Sequence, residues 1–504
     1  MTHVISRNPA TGTERELAVI ETTADAVVAL AERAASVAID FAWRPLSWRA
    51  ELLRTMADEL EADAANLVEL AIDETALGRP RLEGELRRTA FQLRFFADVV
   101  ADGAFLHASI DHAKDSPMGP LPDLRRLRVP LGPVAVFGSS NFPFAFSVPG
   151  GDTASALAAG CPVVIKAHPS HPATSQASFD ALVRGARKGG APEGLLGLVF
   201  GFDAGVALVD APSISAVGFT GSVPAGRALW TRANARPTPI PFFGELGAAN
   251  PLVVTPAAAR ERGDEIGAGV AGSMTLGVGQ FCTKPGLLFI PQDPSGDALV
   301  TSLVEALREL SSMTMLSEGI ADHFRSGSVT IAGVDGNNRL VGEGNEGTSV
   351  SAHLFGVPAT VFADPSSTAL REECFGPLAI VIRYLDRDDL ETALKSADAA
   401  LTFSVFTSSS HDEDASWLIE LGQSKAGRVI ANGFPTGVGV SWSMQHGGPW
   451  PATTNSSATS VGASGIDRWL RPVTYQSVPE ELLPEALRDG NPLGVAQRVD
   501  GVAR

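Results

Sequence analysis

Cys282 sits in the glycine-rich turn Gly279-Gln-Phe-Cys282-Thr283. A turn of this kind can present a sulfur to a cleft, with the cysteine's own N–H pointing the same way. The thiolate is the reactive form, and a nearby helix N-terminus would lower its pKa. Cysteine is more often a small buried hydrophobe, so a nucleophile needs partners. Glu245 is one candidate. It stands between the apolar pair Phe242-Phe243 and the turn Leu246-Gly-Ala-Ala-Asn-Pro251. Burial there would raise its carboxyl pKa toward the range of a general base; the alternative is a carboxylate bound by the turn amides. Asn141, in Ser139-Ser-Asn-Phe-Pro-Phe-Ala-Phe146, follows an apolar run. Its side-chain amide can donate to a developing oxyanion, or it can cap the turn before Pro143. Gly221-Ser222, in Phe219-Thr-Gly-Ser-Val-Pro-Ala-Gly226, ends a strand and opens a helix. Glycine lets backbone approach a phosphate there, and a helix N-terminus favours the anion.

These residues lie far apart in sequence, so elements must carry them together. From Pro133 onward, short β-branched runs alternate with Ala/Gly-rich helical stretches. Val134–Phe137, Pro162–Lys166, Leu198–Phe200 and Ala216–Phe219 read as strands, with helices at Asp152–Ala159, Ala173–Arg187 and Ala204–Val209 between them. Apolar strands of about four residues separated by helices mean a buried parallel sheet. Chemistry in such a sheet sits at the carboxyl ends of its strands. A second series starts near Pro251–Val254. It runs through helices at Glu265–Leu276 and Ala298–Leu310 and strands at Leu287–Ile290, Ala379–Ile382 and Val429–Ile430. The fold class expected is α/β, with two doubly wound parallel-sheet domains.

Before Pro133 the pattern is helical. Leu53, Met56, Leu60, Ala64, Leu67 and Ala71 recur at three- and four-residue steps, as do Leu82, Leu86, Ala90, Leu93 and Ala97. Gly103–Arg128 reads as a hairpin, Gly333–Ser351 as loop, and the proline-bearing tail Gly462–Arg504 as largely extended. Arg125, Arg126 and Arg128 read as a solvated or intersubunit basic patch. Trp43, Trp48 and Trp230 read as packing residues.

Composition excludes several classes. The 504 residues carry 57 acidic and 39 basic side chains, a formal charge of −18. Such a surface repels nucleic acid and anionic membranes, so neither is an expected partner. At 44% hydrophobic and 19% charged, the chain is globular in composition rather than disordered. Cys161, Cys282 and Cys374 form neither a disulfide framework nor a zinc spacing. No metal is expected, and a reducing cytoplasm is the natural compartment. Met1–Gly12 lacks the apolar core of a signal peptide. The uncharged stretch Val129–Gly151 contains Pro130, Pro133, Pro143 and Pro149. Those breaks suit a buried site wall, not a lipid-spanning helix.

Together, and in this order, the motifs resemble the aldehyde dehydrogenase superfamily. The likeness runs from Asn8-Pro-Ala-Thr-Gly12 to Glu372-Glu-Cys-Phe-Gly-Pro377 and Ala431-Asn-Gly433. Asn141-Phe-Pro-Phe-Ala-Phe-Ser147, Gln445-His-Gly-Gly-Pro-Trp-Pro-Ala-Thr-Thr454, Leu470-Arg-Pro-Val473 and Asn491-Pro-Leu-Gly494 resemble the group of 2,5-dioxopentanoate and bacterial fatty aldehyde dehydrogenases. The resemblance implies Cys282 as nucleophile, Glu245 as base for thioester hydrolysis, and the Asn141 side chain with the Cys282 N–H as oxyanion donors. It implies that Glu373 holds the nicotinamide ribose with Phe375 beside it, that Lys166 holds the adenine ribose, and that Gly221-Ser222 meets the pyrophosphate. NAD-preferring relatives often carry Glu three residues after that lysine. Here Ala167-His-Pro-Ser170 contains no acid, and Lys166, His168 and Ser170 can all donate to a 2′-phosphate, so NADP is expected and NAD tolerated.

The implied layout is a dinucleotide-binding domain of residues 1–110 and 131–246 and a catalytic domain of residues 247–461. A small β oligomerisation element comprises residues 111–130 and 462–504. The implied partners are a small-molecule aldehyde and a second copy of the chain, as homodimer or homotetramer. The implied substrate is 2,5-dioxopentanoate, with a medium or long aliphatic aldehyde second. Acyl transfer to coenzyme A and a catalytically dead relative both fit less well, because Glu245, Cys282, Asn141 and Glu373 are all present. Gly247-Ala-Ala replaces the group's common Gly-Gly-Lys, and Cys374 replaces an aliphatic residue. His446 reads as a loop-ordering residue, not a base.

Overall fold

The first run of strands pairs in the order Phe242–Glu245, Ala216–Thr220, Val134–Phe137, Val163–Lys166, Leu196–Val199, all parallel. The computed structural model describes residues 2–342, 345–410 and 412–504. Strand residues alternate between two faces. Val134, Val136, Val163 and Ile165 pack with Met56, Leu157 and Leu182 on one side. Ala135, Phe137, Val164 and Val217 pack with Val27, Ala31 and Leu208 on the other. Both faces are covered, which is why these strands read as unbroken apolar runs. Strand order reverses between Val134–Phe137 and Ala216–Thr220, so a crevice opens at their carboxyl ends.

The second sheet has seven strands. Its order is Asn338–Val341, His353–Pro358, Leu378–Tyr384, Pro285–Pro291, Asn250–Val254, Ala400–Phe406, Ala426–Ala431. Only the first of these pairs antiparallel. The third sheet joins Leu470–Gln476, Leu124–Pro130, Ala108–Asp111, Gln497–Val499 and Val502–Ala503. No helix among the described residues is long and apolar enough to cross a membrane.

Several expectations change. The periodic run Leu53–Ala71 is two helices, Leu46–Ala62 and Ala64–Thr75, broken at Asp63. Gly333–Ser351 is not simply loop: it contributes the edge strand Asn338–Val341 and the short strand Ser349–Val350, while its residues 343–344 lie outside the described ones. Arg125 and Arg128 do not form a solvated patch. Arg125 is buried and binds Asp489 at 2.6 Å and the Leu487 carbonyl at 2.7 Å, and Arg128 binds Asp467 at 2.6 Å. They fasten the tail to the strand Leu124–Pro130, and only Arg126 of the three is exposed. Trp43 is 58% exposed and packs no core. Trp48 donates to the Gly189 carbonyl, and Trp230 packs at a tilt against Trp450.

Candidate active site

The helix Pro256–Thr275 ends just before the cysteine turn. Gly277, Val278 and Gly279 follow with φ of +58°, +62° and +64°. Left-handed backbone is easy for glycine and costs a β-branched residue such as Val278 about 1–3 kcal/mol. Gly279 also presses on the Gly376 backbone so closely that a Cβ would collide. The element leading into the turn is thus a helix C-terminus, not the N-terminus that would have favoured a thiolate.

The turn delivers Cys282 to Glu245 and His446. Glu245 closes the strand Phe242–Glu245, at the carboxyl edge of the first sheet. Cys282 Sγ lies 3.4 Å from His446 Nε2, and Nε2 lies 2.9 Å from Glu245 Oε1. The other carboxylate oxygen accepts from Ser460 Oγ. Glu245 and His446 are buried, Cys282 half-buried. The three donor atoms lie within 4.8 Å of one another, a set that a divalent ion could also share and that the sequence reading did not anticipate.

The electrostatics reverse one expectation. Burial pushes the Glu245 carboxyl up, but the neighbouring His446 and hydrogen bonds from His446, Ser460 and Cys282 outweigh it, so its pKa falls below the ordinary value. Burial and the charges of Glu245 and Glu373 push the Cys282 thiol well above its ordinary value. The resting pair is a thiol facing a carboxylate. Proton transfer from sulfur is uphill in this resting state, so the site holds a protonated sulfur beside the groups that would accept its proton.

Neighbouring residues fix this geometry. Asn141 Nδ2 donates to the Gln280 carbonyl at 2.9 Å, which docks its amide beside the cysteine turn and leaves one N–H for another acceptor. Its own turn is held by Glu85, whose carboxylate accepts from the Phe144 and Ala145 amides at 2.8 and 3.0 Å. Asn250 is fully buried and clamps the far side. Its amide reaches the carbonyls of Cys282 at 2.8 Å and Lys284 at 3.0 Å, while its own carbonyl accepts from Thr402 N. The sequence showed Asn250 only as part of a turn, and Glu85 only as one charge on a helix. Asn250→Ala is expected to leave those buried groups unsatisfied, costing roughly 1–3 kcal/mol, with a lower Tm and a lower kcat. A thermal melt and an assay on the same preparation check this.

The residues expected to bind the cofactor fall in two places: Lys166, His168, Ser170, Gly221 and Ser222 follow strands of the first sheet, and Glu373 and Phe375 precede the strand Leu378–Tyr384 of the second. Lys166 ends the strand Val163–Lys166, buried, with Nζ 5.1 Å from the Phe202 ring. Burial pushes its pKa down to about 8, with no partner charge opposing. Ser222 is the N-cap of the helix Val223–Ala235, and Gly221 and Ser222 are exposed. A buried lysine lacking an acidic partner and an open helix N-terminus, on strand ends that flank Val134–Phe137 on either side, fit a phosphate-bearing dinucleotide. His168 fits less well. Its Nδ1 accepts from the Ser170 amide at 3.1 Å, and burial holds its pKa well below the ordinary value. Both residues thus partly serve as the loop cap before the helix Pro172–Lys188. Glu373 is half-buried against Gly247, where a Cβ would strike its carboxylate. Burial raises its pKa to about 7 against Lys284 and the Ala248 amide. Phe375, half-buried, lies two residues on. Lys284, two residues past the nucleophile, is buried on the Cys374 and Leu378 carbonyls, and no sequence signal marked it.

Comparison with known proteins bears on the family and the fold. The family model described as the aldehyde dehydrogenase family matches residues 2–449. The chain is 46% identical over 484 residues to alpha-ketoglutaric semialdehyde dehydrogenase 2 of Azospirillum brasilense, covering 94% of this chain and 91% of that one. It is 41% identical to alpha-ketoglutaric semialdehyde dehydrogenase of Acinetobacter baylyi, covering 96% and 92%. Among solved structures, the NADP-dependent glyceraldehyde-3-phosphate dehydrogenase of Bacillus halodurans, complexed with NADP, superposes with a TM-score of 0.79 at 23% identity, covering 94% and 96%. Aldehyde dehydrogenase 21 of Physcomitrella patens, in complex with succinate, gives 0.79 at 20% identity, covering 95% of each chain. The sequence, the sheet order and the cysteine–histidine–glutamate contact lead to one assignment: the chain belongs to the aldehyde dehydrogenase family.

Proposed function

We propose that this NAD(P)-dependent aldehyde dehydrogenase oxidises a short oxo-acid aldehyde, 2,5-dioxopentanoate foremost, to the carboxylate, with NADP preferred and NAD tolerated. The observation that carries the chemistry is the contact of Cys282 with His446 and of His446 with Glu245. The 46% and 41% identities support the substrate.

The residues divide the work as follows. Glu245, directly or through His446, takes the Cys282 proton, and the thiolate adds to the aldehyde carbon; His446, read from the sequence only as ordering its loop, is brought by the fold into contact with both. The Asn141 amide and the Cys282 N–H hold the oxyanion; one such donor is worth roughly 3–4 kcal/mol. The bound dinucleotide supplies a hydride acceptor. Lys166, Ser222 and Gly221 would hold its phosphate and adenine-ribose side, and Glu373 and Phe375 its nicotinamide side. A thioester on Cys282 remains, Glu245 takes a proton from the attacking water, and the carboxylate leaves as the thiol is restored.

NADP is favoured because the turn Ala167–Ser170 offers no carboxylate against a 2′-phosphate, and Lys166 is uncommitted. The expected outcome is a higher kcat/KM with NADP than with NAD; a strong NAD preference would refute this reading of the turn. A panel of 2,5-dioxopentanoate, glutarate semialdehyde, short aliphatic and long aliphatic aldehydes, followed by nicotinamide absorbance, tests the substrate. The Phe142 ring centre lies 5.3 Å from that of Phe146 and 5.1 Å from that of Phe281, while Phe144 is buried in the core; this aromatic wall suits either substrate, and a medium or long aliphatic aldehyde is the second reading. Assembly as a homodimer or homotetramer follows the strand Leu470–Gln476, which pairs with Leu124–Pro130 along one edge only. Sedimentation should show more than one chain per particle.

A further inference from the structure

The site wall contains a cation that the proposed chemistry leaves idle. Arg88 projects from the helix Arg79–Asp102 and is half-buried. Its guanidinium carbon lies 5.2 Å from the centre of the Phe146 ring. That ring lies 6.1 Å from the imidazole of His446, the residue in contact with Cys282. One aromatic ring therefore separates the cation from the reacting cluster.

Its hydrogen bonds are weak for so sheltered a charge. Nε and Nη2 share the Val438 carbonyl at 3.4 and 3.3 Å, and Nη1 reaches Gln92 Oε1 at 3.3 Å. Both acceptors are neutral, and all three bonds exceed the usual range of about 2.7–3.2 Å. Other sheltered arginines are better matched: Arg468 holds Asp152 at 2.6 Å and Arg125 holds Asp489 at 2.6 Å. Among the described residues Arg88 makes no ion pair, and the charges that act on it are those of Glu85, Cys282 and Glu245. Two of those belong to the reacting cluster.

Arg81, on the same helix, is already committed. It lies against Phe142 and Phe281 at 4.8 and 4.6 Å, donates to the Asn141 carbonyl at 2.7 Å and sits 4.0 Å from Glu85. Arg428 is committed too, to the Pro435 and Gly437 carbonyls at 2.6 and 3.0 Å. Arg88 has the planar fork that matches a carboxylate, and only loose neutral contacts to give up.

We propose that Arg88 forms an anion subsite for the distal carboxylate of the substrate, selecting aldehydes that carry a carboxylate a few carbons from the reacting carbon. This rests on the aldehyde-oxidation reading above. The test compares kcat/KM for glutarate semialdehyde and pentanal, which share a five-carbon chain, in the full-length enzyme. The expected wild-type preference is for the carboxylated aldehyde. Arg88→Met should collapse that ratio by roughly 100-fold, mostly through KM, and raise the inhibition constant of glutarate similarly. Arg88→Lys, which keeps the charge but not the fork, should lose less. A parallel fall for both aldehydes in Arg88→Met, or a ratio that survives it, overturns the subsite. A wild type that oxidises pentanal with no preference for the carboxylated aldehyde overturns it while leaving aldehyde oxidation standing. Oxidation of neither would remove the reading on which it rests.

Discussion

Cys282→Ala is expected to abolish reduced-nicotinamide production from aldehyde, a fall in kcat on the order of 10⁴ to 10⁶. The sulfur has no understudy. Cys161 is buried at the Trp469 carbonyl, and Cys374 is buried against the Phe324 carbonyl. Burial pushes both thiols up to about 11. Neither touches His446 or Glu245 in a hydrogen bond. The loss should therefore be total within assay sensitivity, while the far-ultraviolet spectrum and the melting profile stay native. Appreciable turnover in this variant would overturn the nucleophile assignment.

Glu245→Gln should separate the two halves of the reaction. Gln keeps the shape and can still accept from Ser460, but it cannot take a proton from water. Rapid mixing should show a burst of reduced nicotinamide near one equivalent, followed by a steady-state rate lower by roughly 10²- to 10⁴-fold. The variant also removes a negative charge that pushes the Cys282 thiol up. The sign is fixed: the thiol pKa falls, the thiolate fraction at neutral pH rises, and alkylation by iodoacetamide quickens. A full steady-state rate would mean that another base acts, and His446 is the group in contact. Slower alkylation would mean that Glu245 helps to ionise the sulfur more than its charge hinders it.

Much of this was legible in the residues. The strands Val134–Phe137, Val163–Lys166 and Asn250–Val254 are short, apolar and bounded by turns, and each was read within a residue or so of its ends. Periodicity works there because both faces are buried. It failed for Ala400–Phe406, where buried Thr402 and Ser404 interrupt the apolar run, and for the edge strand Asn338–Val341, which is half exposed. Local motifs named Cys282, Glu245 and Asn141, but not their electrostatics. The expected rise in the Glu245 pKa assumed burial alone; the histidine that lowers it lies 201 positions further along, at His446. Asn250, Glu85 and Arg88 escaped for the same reason. Their partners come from other elements, and no spacing within one segment records such a meeting.

The left-handed run Gly277–Gly279 has a mechanical consequence. A right-handed helix cannot grow through residues of the opposite hand, so thermal breathing of Pro256–Thr275 cannot draw the following residues into another turn. The sulfur therefore takes its alignment from the sheet, through the Asn250 clamp, and is insulated from drift in the helix that precedes it. A Val278→Gly exchange would relieve the left-handed strain at this position but loosen the backbone there, leaving a less accurately aimed nucleophile.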